Sequence, residues 1–197
     1  SRISFNVEDA TTVGAEWELA AYPTENLMLT LNGSVIEAEF GSTVLDSNGG
    51  VLGGVEDGNR LASVPELQFS ASATYTFNQG LLGSDETYLN AMVQHIGDRY
   101  TQPSDQVSGA GQFQSGLPFG GATGSEVTSL DLELPDYEVV NISAGATWGT
   151  WDAVVYVNNV FDENALLSFD RERGGRARLA YRVSQPRSVG LTLRKQF

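Results

Sequence analysis

Hydrophobic and polar residues alternate along most of this chain. The longest unbroken alternation spans residues 66–77, with apolar side chains at Leu67, Phe69, Ala71, Ala73, Tyr75 and Phe77. The residues between them are Glu66, Gln68, Ser70, Ser72, Thr74 and Thr76. Because successive side chains of a β-strand point to opposite faces, this pattern predicts a strand with one apolar and one polar face.

The same alternation predicts six more strands. They lie at 13–19, 27–35, 88–101, 140–148, 153–157 and 186–197. The alternation is poorest in 88–101, where Met92 and Ile96 fall on the face opposite Leu89, Ala91 and Val93. The predicted strands run to about ten residues, the length that a tilted strand needs to cross a hydrocarbon core. We therefore expect an all-β fold of seven antiparallel strands.

The connections between these strands are short and long in strict turn. Short ones fall at 23–26, 78–86 and 149–150, and long ones at 41–63, 103–135 and 162–185. Short turns are therefore predicted at one end of the sheet and long loops at the other. This asymmetry is typical of transmembrane β-barrels of the outer membrane, which have short periplasmic turns and longer extracellular loops.

Aromatic residues concentrate near the ends of the predicted strands. Those beside short turns or at the terminus are Tyr22, Phe77, Tyr88, Trp148, Trp151 and Phe197, and those at the long-loop ends are Phe40, Tyr100, Tyr137 and Phe161. Aromatic rings prefer the boundary between lipid headgroups and acyl chains. The placement predicts two aromatic girdles around a membrane-spanning wall.

Composition limits the function classes. The formal net charge is −14, which argues against nucleic acid as a partner. The chain has no cysteine and one histidine, so neither a disulfide framework nor a dedicated metal site is expected. No apolar run reaches the length of a membrane helix, and no signal peptide precedes the first strand, so we expect a piece of a longer protein.

Two segments carry a resemblance to a known family. Asn159-Val160-Phe161-Asp162-Glu163, followed by Gln185-Pro186-Arg187-Ser188 and a last strand that ends in Phe197, resembles the C-terminus of a TonB-dependent outer-membrane receptor. The stretch Gly14 to Leu19, with Pro23 and Leu27 after it, is similar to that family's barrel. Taken together, the resemblance covers nearly the whole chain.

The resemblance implies a transmembrane antiparallel β-barrel of about 22 strands with a plug inside it. The chain, residues 1–197, would supply the C-terminal seven strands, because seven strands cannot close a single-chain bacterial barrel. The plug and the earlier strands would come from elsewhere. In the Gram-negative outer membrane, such a receptor takes up a scarce nutrient, an iron chelate, cobalamin or an oligosaccharide, with energy from the TonB complex.

No enzymatic activity and no cofactor are expected from this resemblance. Carboxylate pairs such as Glu16 and Glu18 could suggest a glycosidase, but acids that face a lumen explain them as well. Two other architectures remain open. One is a passive porin, and the other is a soluble β-sandwich binding module, whose apolar faces would have to pack on each other.

Candidate ligand contacts lie in the long loop 103–135. It carries Asp105, Phe113 and Phe119 among Gly, Ser and Gln residues. Loops of this length are usually functional. The two phenylalanine rings could stack on a sugar or a chelate, or they could pack the loop onto its neighbours.

An arginine cluster surrounds Gly174-Gly175. If these glycines form a two-residue turn, then Arg171, Arg173, Arg176 and Arg178 lie on one face of a hairpin. Like charges on one face require an anionic partner. Three partners are open: acidic residues of the loops, lipopolysaccharide phosphates of the outer leaflet together with other membrane lipid, and an anionic ligand.

Overall fold

A computed structural model describes residues 7, 9–114, 127–172 and 178–197. Its long strands are β1 (Ala10–Thr24), β2 (Leu27–Phe40), β3 (Leu67–Thr76), β4 (Glu86–Ile96), β9 (Tyr137–Trp148), β10 (Trp151–Asn158) and β13 (Ser188–Lys195). Shorter strands are β5 (Arg99–Tyr100), β6 (Gln112–Gln114), β7 (Val127–Ser129), β8 (Glu133–Leu134), β11 (Leu166–Glu172) and β12 (Arg178–Val183). Two 3₁₀ turns, Leu81–Gly83 and Pro103–Gln106, complete the described secondary structure.

The seven long strands form one antiparallel sheet in the order β1-β2-β3-β4-β9-β10-β13. All seven strands predicted from the alternation are therefore confirmed. The sheet is open, and within the described residues the outer edges of β1 and β13 pair with no other strand. No described helix combines the length and the apolar character that crossing a membrane requires.

The register aligns the apolar positions of all seven strands on one side of the sheet, here called the apolar face. In one row, Leu19 pairs with Leu31, Leu31 with Ala71, Ala71 with Val93, and Val93 with Val140. Leu19 is 58% exposed and Leu31 37% exposed, and no second layer covers them in the described part of the chain. A soluble sheet would bury this face.

The opposite side, here called the polar face, carries the intervening residues. Thr30, Ser72, Met92 and Asn141 form the neighbouring row, and the hydroxyls of Thr30 and Ser72 lie 2.7 Å apart in a hydrogen bond. Met92 lies on this face, as the broken alternation of its strand predicts. The predicted division into an apolar and a polar side is confirmed by the register.

The buried hydrophobic cluster of the described residues lies in the loops. Its buried members are Leu132, Leu134 and Phe169, with partly buried Ala110, Phe113, Leu130, Leu166, Leu179 and Tyr181 around them. Small two-stranded sheets, β5-β8, β6-β7 and β11-β12, support this cluster. Described residues of the second and third long loops thus pack together in one cluster.

The predicted strand 88–101 is interrupted. β4 ends at Ile96, and the chain resumes as β5 at Arg99, which pairs with β8 instead of β3. The side chain of Asp98 at the break accepts a hydrogen bond from Arg60 at 2.6 Å. This contact draws the chain out of the sheet and into the loop assembly.

Aromatic residues mark the short-turn end of the apolar face. The rings of Tyr75 and Phe77 meet edge to face at 5.1 Å, and Trp148 pairs with Trp151 across the β9–β10 turn. The amine of Lys195 lies 5.3 Å from the Trp151 ring and 5.1 Å from the Phe197 ring. Lys195, the one charged residue on the apolar side of β13, therefore lies at the short-turn end.

Tyr88 corrects the girdle prediction. It pairs with Thr76 and Gly145 on the polar face, and its ring covers Gly145, where a Cβ atom would collide with it. The even position of Tyr88 within β4 decides this orientation, whatever its distance from the turn. The girdle at this end therefore lacks Tyr88.

The two faces predict opposite responses to one substitution. In the complete barrel, Ala71→Arg puts a cation on the apolar face near the middle of β3 and should cost about 2 to 4 kcal/mol of folding free energy in a bilayer. Ser72→Arg, its neighbour on the polar face, should cost far less, mainly the hydrogen bond to Thr30, about 1 kcal/mol. Folding titrations into lipid vesicles measure both, and equal costs would contradict the assignment of the faces.

Candidate functional site

A groove of about 570 Å³ lies on the polar face across β1 to β4, toward the long-loop end. Its polar side chains are Glu16, Glu18, Asn32, Ser34, Gln68, Ser70 and Gln94. Gln68 donates to the Ser34 hydroxyl at 3.1 Å, and Asn32 donates to the Ser70 hydroxyl at 3.4 Å. The groove offers amide, hydroxyl and carboxylate groups to a polar ligand or to a polypeptide.

A charged cluster around Arg60 lies at the base of the loops. The guanidinium donates to the Asp98 carboxylate at 2.6 Å and to the Asp98 backbone carbonyl at 2.8 Å. It also lies 3.5 Å from Glu66, 3.6 Å from Glu133 and 5.8 Å from the centre of the Tyr100 ring. One arginine thus joins the first long loop to the second.

The backbone of Arg60 is held as well. Its N–H donates to the side-chain oxygen of Gln106 at 2.9 Å, and the Gln106 amide donates back to the Arg60 carbonyl at 2.8 Å. This reciprocal pair fixes the chain on both sides of the guanidinium. The cluster is therefore a built contact between two loops and not a loose surface ion pair.

The two carboxyls nearest Arg60 differ in proton affinity. The hydrogen bond from Arg60 lowers the pKa of Asp98 below its usual value. Burial raises the pKa of Glu133, and a hydrogen bond with the Asp98 carboxyl raises it further. Asp98 is consequently the carboxylate partner of Arg60, while Glu133 is the group of the pair that takes up a proton first.

A second arginine, Arg99, connects the third long loop to the sheet. It is 7% exposed and donates to the backbone carbonyls of Leu166 at 3.1 Å and Leu167 at 3.3 Å. Its guanidinium lies 5.3 Å from the centre of the Tyr137 ring. Because Leu166 begins β11, Arg99 anchors the β11–β12 hairpin to the wall.

The predicted ligand residues of the second loop occupy structural positions. Asp105 is buried in the Pro103–Gln106 turn, where it accepts from the backbone N–H of Gln102 at 3.0 Å. The Phe113 ring packs at 5.9 Å from Phe169 in the loop cluster. Phe119 lies outside the described residues. Ligand contact by any of the three stays a prediction.

The arginine hairpin forms, but in a different register. Glu172 pairs with Arg178 and Arg171 with Leu179, so Arg171 and Arg178 hold register positions of opposite faces. A two-residue turn at Gly174-Gly175 would pair Arg171 with Arg178, so this register shows that the prediction of one face for all four arginines is wrong. Arg173 and Arg176 lie outside the described residues, and anion contact stays a prediction.

Sequence reasoning missed Arg60 and Arg99. They are two of the three basic residues before residue 171, in a stretch that is otherwise strongly acidic. Their isolation in the sequence could have indicated structural ion pairs, because a single cation among many carboxylates readily finds an acidic partner. Among the described residues, no group of three or more His, Cys, Asp or Glu side chains is arranged to hold a metal ion.

Comparison with known proteins gives one family match. The family described as TonB dependent receptor-like, beta-barrel matches residues 2–160. No match was found among curated proteins.

Solved structures match over nearly the whole chain. The ferric yersiniabactin uptake receptor FyuA of Yersinia pestis has a TM-score of 0.67 at 21% identity, over 95% of this chain and 24% of that one. The ferripyoverdine receptor of Pseudomonas aeruginosa has a TM-score of 0.53 at 19% identity, over 95% and 20%. BauA, the ferric preacinetobactin receptor of Acinetobacter baumannii, has a TM-score of 0.57 at 14% identity, over 93% and 22%. These likenesses show the fold, and the chain spans about a fifth to a quarter of each matched structure.

Loss of the Arg60 guanidinium should loosen the first two long loops. Arg60→Gln removes charge-assisted hydrogen bonds to Asp98 and should lower the free energy of loop opening by about 1 to 3 kcal/mol. The matched control is Arg182→Gln, whose ion pair with Asp170 has side chains that are 75% and 59% exposed. The control substitution should change the free energy of loop opening by about 0 to 1 kcal/mol. Amide hydrogen exchange over 59–66 and 97–106 measures both, and equal protection in the two variants would contradict a joining role for Arg60.

The Asp98–Glu133 pair predicts a dependence on pH. Because the pKa of Glu133 is raised, its protonated form stabilises the folded loop assembly. This stabilisation is fully present below the ordinary glutamate pKa of 4.5 and is lost as the pH rises through the raised pKa. Because the pKa of Asp98 is lowered, its ionised form stabilises the folded loop assembly. This stabilisation is present above the ordinary aspartate pKa of 3.8 and is lost as the pH falls through the lowered pKa. Of these two carboxyls, only Glu133 loses its proton as the pH rises above 4.5, so the contribution of this pair to the stability of the loop assembly should fall as the pH rises.

Glu133→Gln should abolish this weakening, because the amide stays neutral at every pH. Asp170→Asn, at the exposed pair with Arg182, should leave it unchanged. Urea titrations of loop opening at a series of pH values, followed by a fluorophore in the second loop, measure the effect. A Glu133→Gln variant that keeps the wild-type pH profile would exclude Glu133 as its source.

Proposed function

The chain belongs to the TonB-dependent receptor β-barrel family, and from that premise we propose that it is part of an outer-membrane receptor that takes up a scarce nutrient. Its place is the Gram-negative outer membrane, where the seven-stranded sheet is one sector of the barrel wall. Transport is the activity that we propose. Of the solved structures that the chain resembles, FyuA is described as an uptake receptor for ferric yersiniabactin and BauA as the receptor for ferric preacinetobactin.

One observation carries this proposal, the two-sided sheet. The apolar face is continuous over seven strands and stays exposed, as a wall in contact with lipid requires. The polar face carries hydroxyls, amides and carboxylates, as a lumen requires. Most residues of this sheet thus have an environment that matches their chemistry when lipid lies on one side and a polar interior on the other.

The chain supplies only part of the proposed receptor. Residues 1–197 form the C-terminal seven strands of a barrel of about 22, and the remaining strands and the plug belong to the rest of the receptor. The groove on the polar face, with Glu16 and Glu18, then faces the plug or a ligand passing it. Energy from the TonB complex acts through the plug region, and not through this wall.

The substrate class that we propose is an iron chelate. Receptors for ferric yersiniabactin, ferripyoverdine and ferric preacinetobactin all share this fold, which favours a ferric siderophore over cobalamin or an oligosaccharide. The ligand contacts come from the long loops, with Asp105, Phe113 and Phe119 on the second of them. Arg171, Arg173, Arg176 and Arg178 on the third loop contact an anion, either lipopolysaccharide phosphate or the chelate itself.

The two other architectures considered from the sequence do not fit. A β-sandwich would pack its apolar faces together, whereas this sheet has one exposed apolar face, and the buried cluster lies in the loops. The family match favours a TonB-dependent receptor over a passive porin. Dependence on TonB separates a porin from a receptor in experiment.

Uptake by the full-length receptor tests the proposal. The receptor is expressed in an iron-starved Gram-negative host without its own siderophore receptors, and accumulation of radioactive iron is followed for a panel of ferric siderophores. We expect accumulation of at least one chelate, saturation at low concentration, and complete loss in a strain without TonB. Accumulation that continues without TonB and does not saturate would indicate a passive pore and contradict the proposal.

A further inference from the structure

The turn between β3 and β4 presents two leucines at the short-turn end of the sheet. Leu81 is 49% exposed and Leu82 is 96% exposed, so almost the whole Leu82 side chain lacks contacts within the described structure. Exposed turns normally carry polar residues. Two adjacent leucines at such a position are an exposed apolar tip.

The backbone of this tip is strained. Leu82 has φ 56° and ψ 30°, and Gly83 follows with φ 76°. Two successive left-handed residues favour Asn-Gly or Gly-Gly, because a branched apolar side chain has an unfavourable contact with its own backbone in this conformation. Leucine at position 82 therefore opposes the turn geometry, and strain of this kind often marks a functional position.

The side chains of Ser84 and Thr87 form hydrogen bonds within the turn. The Ser84 hydroxyl donates to the Leu81 carbonyl at 2.7 Å and lies 2.7 Å from the Thr87 hydroxyl. The backbone N–H of Leu81 donates to the Thr87 hydroxyl at 3.0 Å. Ser84 and Thr87 are both buried, so the turn covers these two hydroxyls and exposes leucine.

The turn is folded onto the apolar side of the sheet. Thr87 pairs with Ala146 in the row next to Leu89 and Ala144, which belong to the apolar face. Because Leu81 and Ser84 bond to Thr87 from that side, the leucine tip adjoins the apolar face and not the groove on the polar face. Tyr75, Phe77 and Trp148 of the aromatic end lie on the same side.

We propose that Leu81 and Leu82 form a membrane anchor that inserts between headgroups and acyl chains of the periplasmic leaflet. The occupant is lipid because the tip continues the apolar face, and because the buried hydroxyls of Ser84 and Thr87 beneath it have hydrogen-bond partners within the turn. Burial of leucine in lipid offsets the strain at position 82. The inference rests on the proposed function, since the apolar face must itself contact lipid.

Site-directed labelling of the full-length receptor in lipid vesicles tests the anchor. The chain has no cysteine, so Leu82→Cys gives a single site here for an environment-sensitive fluorophore once any cysteine elsewhere in the receptor is replaced. Lipids with nitroxide groups near the headgroup or deep in the chains, and a water-soluble quencher, report depth. We expect strong quenching by the shallow nitroxide and protection from the aqueous quencher.

Two control sites separate the possible failures. Glu25→Cys, in the polar β1–β2 turn at the same end, should respond only to the aqueous quencher. Ala71→Cys, in the middle of the apolar face, should respond to the deep nitroxide. If Leu82 responds like Glu25 while Ala71 responds to the deep nitroxide, the anchor is wrong and the proposed function stands. If the Ala71 label is open to water, the lipid-facing wall is wrong, and the anchor is wrong with it.

A second variant separates the side chain from the turn. Leu82→Asn keeps the left-handed conformation, which asparagine tolerates, and removes the apolar group. A fluorophore at Leu81→Cys should lose its quenching by the shallow nitroxide when Leu82→Asn is added. Unchanged quenching in that double variant would show that Leu82 does not hold the turn in the membrane and would overturn the inference.

Discussion

Pairing of backbone N–H and C=O groups is the constraint on which this structure depends. A group left unpaired in hydrocarbon costs several kcal/mol, so a membrane wall of strands must pair each strand on both sides. Five of the seven long strands meet this condition within the sheet. The outer edges of β1 and β13 do not, and in lipid they require neighbouring strands from the rest of a barrel.

The same constraint separates the wall from the loops. In the wall, backbone pairing uses only main-chain groups, and the register places apolar side chains on one side of the sheet and polar side chains on the other. In the loops, the chain builds an ordinary buried cluster around Phe169 and Leu134. Within the loops, Arg60 bonds to Asp98 and Arg99 bonds to the carbonyls of β11. Arg99 also reaches the wall, because its guanidinium lies over the ring of Tyr137, the first residue of β9. These contacts give the described loop residues a defined geometry relative to one another.

Local pattern predicted the wall because strand faces follow from alternation alone. The rows from Leu19 to Val140 follow once each strand is aligned with its neighbour. Tyr88 shows the limit of that reasoning, since closeness to a turn does not decide which face a ring occupies. Arg60 and the arginine hairpin show a second limit. The contact of Arg60 with Asp98 joins residues 38 positions apart. In the arginine hairpin, the register differs by one residue from the predicted one and pairs Arg171 with Leu179 instead of Arg178. A local sequence pattern predicts neither the long-range contact nor the hairpin register.

Refolding of residues 1–197 alone, beside refolding together with the rest of the receptor, tests the central claim most directly. Heat-resistant mobility on gels and amide hydrogen exchange of β1 and β13 in detergent are the measurements. The account predicts that the chain alone gives no heat-resistant species and leaves both edge strands unprotected, and that the remaining strands restore both properties. A compact, heat-resistant monomer of residues 1–197 with protected edge strands would contradict it.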